Sequence, residues 1–143
     1  MEEKRRILII TDDSDSMRNL AVTIAAIIRN PQFAGCTVSM TEAESFSAPD
    51  LLPAQTFFLG CEKPGSFSFL YIEDLFAHIN LAGKFCGIFS NNSKAVKYLS
   101  VFIRDSEVSA GKPLLVKDST LDNIILQNWV KSIMQQGGKN ERI

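Results

Sequence analysis

The chain has 143 residues, 45% hydrophobic and 22% charged, a composition that suits a folded globular domain and excludes a chain disordered throughout. Its 15 basic and 16 acidic residues nearly cancel, so no overall field draws nucleic acid or an anionic membrane surface, and neither is expected as a partner. Three widely spaced cysteines, Cys36, Cys61 and Cys86, with one histidine, His78, make no metal-ligand pattern and suit a reduced, cytoplasmic chain. The basic start runs into only four apolar residues, too few for a signal segment, and no apolar run approaches a membrane span. The length suits one domain over residues 1–143, with a core at about 6–136.

Ile7 to Ile10 is short, apolar and largely β-branched, which predicts a strand buried on both faces. Leu20, Ile24, Ile27 and Ile28 recur at helical spacing beside Ala21 and Ala25 and predict the first helix, capped by Asp13, Ser14 or Asp15. Thr37 to Met40 alternate as a modest strand near a sheet edge. Pro49 and Pro53 then limit any second helix to a turn or two. Thr56 to Leu59 form another buried strand closed by Gly60. A helix is predicted over Leu70 to Leu81, with Gly83 punctuating it before a fourth strand, Phe85 to Phe89. Ser90 to Ser93 supply capping residues for a helix carrying Ala95, Val96, Leu99, Phe102 and Ile103. Gly111 precedes a fifth strand at Leu114 to Val116. Ser119 or Thr120 caps a last helix with a stripe of Leu121, Ile124, Ile125, Trp129, Val130 and Ile133, and the tail after Gln136 is expected to fray.

Strands and helices alternating five times predict a doubly wound, Rossmann-like parallel sheet in a three-layer α/β/α arrangement. Sheets of this kind bind ligands beyond the carboxyl ends of their strands, here in the loops after strands one, three and four. The first of these loops holds Asp12, Asp13 and Asp15. At ~4 Å and an effective dielectric of about 20, each would repel a phosphate charge by ~4 kcal/mol. Carboxylates are also the natural ligands of divalent cations, although no metal residues are assigned. Cys61 reads as a small buried hydrophobe rather than a nucleophile, having no histidine nearby in sequence, and His78 as a surface residue.

The run Ile10-Thr11-Asp12-Asp13-Ser14-Asp15-Ser16-Met17, followed by Ala21 and Ile24-Ala25, resembles the start of flavodoxins. In that family a T-x-T-G-x-T loop cradles the phosphate of FMN. Matching by the helix alanines puts Asp12, Ser14, Asp15, Ser16 and Met17 on the motif, whereas matching by strand end puts Thr11, Asp13, Ser14 and Ser16 there. Both registers lack the glycine. Phe57 to Gly65 and Ile79 to Phe89 are similar to the strand-three loop and to the helix-to-strand passage of the family. The resemblance covers about residues 6 to 136 and implies the strand order 2-1-3-4-5. It implies Cys61, Glu62 and Phe67 on one side of a flavin ring and Ser90, Asn91 and Asn92 on the other, with Phe69 and Tyr71 as further stacking candidates. No aromatic follows strand four before Tyr98.

Three functional expectations follow. The resemblance implies an FMN-binding electron-transfer flavoprotein with a redox partner protein, an electron carrier or binding protein rather than a catalyst. The acidic loop favours instead a flavin-free interaction module on the same scaffold. Asp12-Asp13, Ser90 and Lys117 also resemble response-regulator receiver domains, which implies a pseudo-receiver binding a divalent cation without phosphorylation, because strand three ends without an aspartate.

Overall fold

The computed structural model describes residues 5–30, 33, 35–64, 67–104, 106–116 and 123–141. The first apolar run forms β1, Arg5–Thr11, buried from Ile7 onward. It pairs in parallel with β2, Cys36–Glu42, on one side and with β3, Thr56–Gly60, on the other. In turn β3 pairs with β4, Phe85–Ser90, and both are buried at every residue, as strands covered on two faces must be. Along the far side of β4 lie two short strands, β5 at Ser109–Ala110 and β6 at Leu114–Leu115, both parallel to it. The order is 2-1-3-4-5, the flavodoxin-like doubly wound sheet that the alternating pattern predicts.

The period-two pleat divides the core. Leu8, Ile10, Phe57, Leu59, Cys86 and Ile88 face one layer, where they meet helices α3, Phe67–His78, and α4, Ser93–Arg104. Ile7, Ile9, Phe58, Phe85 and Phe89 face the other layer, against α1, Asp15–Ile28, and α5, Asn123–Glu141. Trp129 fills the second layer edge-on to Phe58 and Phe89, at centroid distances of 5.6 and 6.3 Å, and its indole N–H donates to the Lys112 carbonyl. Between β2 and β3 the chain makes only a 3-10 turn, Ala43–Ser45, and α2, Ala48–Leu51, with Pro49 in its first turn. Lys84, at the head of β4, donates from Nζ to the carbonyls of Leu52 and Ala54, which ties this short connection to the sheet.

Four boundaries differ from the sequence reading. Strand five is split, because the exposed Ser109–Ala110 already pairs with β4 before Gly111. The third helix starts at Phe67 and stops at His78, and Gly83, at φ 91°, makes the turn into β4 in a conformation that suits glycine. The last helix continues to Glu141, since Gly137 lies so close to Thr56 and Arg5 that an added Cβ would collide with both. Its buried stripe is Leu126, Trp129, Val130, Ile133 and Met134, while Ile124 and Ile125 are exposed. Lys117, Ser119, Thr120 and Leu121 lie outside the described residues. Among the described residues no helix is long and apolar enough to cross a membrane.

Candidate functional site

The loops after β1, β3 and β4 meet at the carboxyl edge of the sheet. There a cavity of about 400 Å³ is lined by Asp12, Asp13, Ser14, Asp15, Ser16, Glu62 and Lys63. The sheet register places them together, since Thr11, Gly60 and Phe89 are successive neighbours across β1, β3 and β4. The Asp12 amide then donates to the Gly60 carbonyl at 3.1 Å and carries the ladder one residue into the loops.

Asp12 is the centre of the arrangement. Its side chain turns inward, leaving the residue 2% exposed, and both carboxylate oxygens accept hydrogen bonds. Oδ1 takes the Ser14 amide at 3.2 Å and the Ser14 hydroxyl at 2.6 Å. Oδ2 takes the Glu62 amide at 2.7 Å and the Lys63 amide at 3.5 Å, fifty residues away in sequence. A buried carboxylate needs several such donors, and those supplied here are loop amides and a hydroxyl of the kind that binds an anionic ligand at a helix N-terminus. Ser14 is the cap of α1: its Oγ accepts the Met17 amide at 3.3 Å, settling which of the three candidates performs that role.

The remaining predicted site residues separate into three groups. Asp13, Asp15 and Ser16 stand exposed on the rim, with Asp15 in the first turn of α1, where a negative charge complements the helix dipole. Thr11, Met17 and Cys61 are buried: Met17 packs in the α1 layer and Cys61 in the α3 layer, so neither side chain opens on the cavity. Phe69 is likewise fully buried in the core and cannot stack on a ligand at the loop edge. Tyr71 is half-exposed and tilted against Phe46. Phe67, at the first position of α3, is 89% exposed.

The loops after β3 and β4 are bound to each other. The Ser90 hydroxyl donates to the Cys61 carbonyl, the Asn92 Nδ2 to the Glu62 carbonyl at 3.0 Å, and the Asn91 Nδ2 to the Glu62 carboxylate at 2.9 Å. Asn92 also caps α4, its Oδ1 accepting the Lys94 amide at 3.0 Å. These are the two loops between which the family resemblance would place a flavin ring. On the other side of the mouth, Arg18 bridges Asp15 and Glu42, and its guanidinium is held even more firmly protonated by the Glu42 carboxylate.

The donor chemistry does not fit FMN. Its phosphate would meet three aspartates and a glutamate, while Ser14 and the amides of Glu62 and Lys63 already serve Asp12. Its ring would meet two loops joined by three hydrogen bonds, with no aromatic side chain in the loop between β4 and α4. Phosphorylating receiver chemistry fares no better: Ser90 is fully buried and donates to Cys61, and β3 ends at Gly60 without an aspartate. Among the described residues no three His, Cys, Asp or Glu side chains are arranged to share a metal ion.

Sequence reasoning located the loops and missed two roles. The Asp12 carboxylate reaching the Glu62 and Lys63 amides was not expected, although the spacing Asp12-x-Ser14 is that of an Asx turn and hints at it. Lys63 on the cavity wall carried no signal of its own.

No protein-family model matches the chain, and no curated protein matches it. Solved structures do. A flavodoxin of Streptococcus pneumonia TIGR4 is similar over 92% of this chain and 98% of its own, with a TM-score of 0.78 at 17% identity. An oxidised Flavodoxin 2 from Bacillus cereus is similar over 92% and 99%, with a TM-score of 0.70 at 18% identity. A Fusobacterium nucleatum flavodoxin mutant bound to flavin mononucleotide is similar over 96% and 97%, with a TM-score of 0.64 at 9% identity. At such identities the likeness carries the fold and not the ligand. The chain has the flavodoxin-like fold, and the loops at the carboxyl edge of its sheet direct their hydroxyl and amide donors onto its own Asp12 carboxylate.

Proposed function

We propose that the protein is a flavin-free interaction module on a flavodoxin scaffold, binding a partner with basic side chains at its loop face. The observation that carries this reading is the Asp12 carboxylate, which occupies the Ser14, Glu62 and Lys63 donors and so makes the loop a self-satisfied structure. What remains outward is acceptor-rich: Asp13, Asp15 and Glu62 line the cavity with the single cation Lys63, and Arg18 beside it is shared between Asp15 and Glu42. Such a rim attracts Lys or Arg side chains and repels anions, with a strength that falls as salt rises.

One observation favours FMN and electron transfer to a redox partner. Phe67 stands exposed at the start of α3, after the β3 loop, and one structural neighbour is described as bound to flavin mononucleotide. Against it stand the acidic loop and the joined walls.

The test has two arms. Protein purified without added flavin should show no flavin absorption band. A fluorescent lysine-rich peptide should bind it with an affinity that falls with salt and falls further in Asp13→Asn/Asp15→Asn. A stoichiometric flavin band would overturn the reading, and so would peptide binding unchanged by the double substitution.

A further inference from the structure

The two edges of the sheet are built differently. One ends in β5 and β6, two residues each and out of line with one another, a form that offers an incoming strand little to pair with. The other ends in β2, which pairs with β1 without interruption from Arg5↔Cys36 to Thr11↔Glu42. Natural edges of this length are usually guarded by Lys, Pro, a bulge or a covering element. Here the run Cys36-Thr37-Val38-Ser39-Met40-Thr41 contains no charge and no proline. The helix that would shield it is reduced to Ala48–Leu51. A groove of about 720 Å³ therefore lies along the strand, where Thr37, Ser39 and Thr41 face Pro49 and Asp50.

The direction of the peptide groups follows from the ladder. Arg5 donates its amide to the Gly35 carbonyl, so in this parallel register the odd-numbered residues of β2 bond to β1 and the even-numbered ones point away from it. Val38 and Met40 thus present backbone N–H and C=O groups outward, and among the described residues no strand pairs with β2 on that side. The sequence is also close to a palindrome about Ser39. Reversing it places Val38 opposite Met40, Thr37 opposite Thr41 and Ser39 opposite itself.

We propose that β2 is a homodimerisation edge, on which a second copy of this chain pairs antiparallel about a two-fold axis at Ser39. In that register Val38 and Met40 of the two copies exchange backbone hydrogen bonds, using the groups that point outward. Ser39 meets its counterpart, and Thr37 meets Thr41, at the closer non-hydrogen-bonded positions, where hydroxyl pairs are favourable. Only Glu42 in this stretch is charged, and it falls opposite Cys36, so no like charges meet. Met40, 44% exposed, gains an apolar neighbour in Val38 of the second copy.

The experiment is sedimentation velocity on the full chain into the high micromolar range, with two variants. Met40→Lys places a gatekeeping charge on an exposed side chain and should raise the dimer dissociation constant by roughly tenfold or more with an unchanged far-ultraviolet spectrum. Ser39→Cys, in a Cys36→Ser background, should form a covalent dimer on mild oxidation, because paired Cα atoms at a non-hydrogen-bonded position lie about 4.5 Å apart, within disulfide reach. The proposal stands only if the parent chain dimerises and both variants behave so. A parent chain that sediments as a monomer overturns it. A dimer indifferent to Met40→Lys, or one that Ser39→Cys does not cross-link, places the contact on another surface and overturns it equally, and binding of a foreign peptide at β2 without self-association does the same.

Discussion

The interior of the sheet and its loop edge keep different things. In β3 and β4 every residue is buried and apolar contacts run continuously from Phe57 and Phe58 into the two helix layers, so the scaffold is specified by packing alone. At the loop edge, polar atoms are satisfied by one another: Asp12 by amides of the loops after β1 and β3, Ser90 and Asn92 by carbonyls of that same loop after β3. The first region needs only residues of the right size and period. The second needs particular donors aimed at particular acceptors, and those side chains rather than the fold set what it can bind. A scaffold can thus be retained while its ligand chemistry is replaced.

The sharpest break of this contrast is Asp12→Ala. If Asp12 is an internal staple, its loss orphans four donors and lowers stability by about 3 kcal/mol in denaturant titration. A residue kept only for ligand binding would leave stability unchanged or raise it. Gly60→Ala probes the boundary between the regions, since an added Cβ would collide with the Phe89 ring; overpacking there should cost about 2 kcal/mol. Asn92→Ala removes both the α4 cap and the tie to the Glu62 carbonyl, and should cost about 1 kcal/mol with the loss confined to amide protection around α4 and residues 61–63.

The interior gives an effect that shows only above neutral pH, as a slope. Burial pushes the Cys86 thiol well above its ordinary value of 9.0, so it stays protonated in the folded chain. With the folded value raised above the unfolded one, the contribution is fully present below about pH 9 and is lost as pH climbs beyond it, by about 1.4 kcal/mol per pH unit. Cys86→Ala should flatten the alkaline fall of thermal stability by that amount, and an unchanged slope would assign the fall to other groups.

How much of this was legible in the sequence tracks the same division. β1, β3 and β4 announce themselves as continuous apolar runs, alternation with helices predicts the doubly wound parallel sheet, and the order 2-1-3-4-5 is what the resemblance to flavodoxins implies. β5 escaped because Ser109–Ala110 is two residues long and exposed, and so carries no hydrophobic period. The continuation of α5 escaped because Gly137-Gly138 reads as a stop, whereas Gly137 is the close approach of the helix to Thr56. At the loop edge the positions were legible and the partners were not. Nothing local to Asp12 reveals that its carboxylate meets amides at Glu62 and Lys63, and nothing local to Phe69 separates a core ring from a stacking ring until α3 is oriented.

Titrating the purified protein into FMN while following flavin fluorescence is the first test of the proposed flavin-free module. Fluorescence should stay unchanged across the titration, with magnesium present or absent. Quenching at micromolar or tighter affinity would contradict it and would require Asp12 to release its donors to the phosphate.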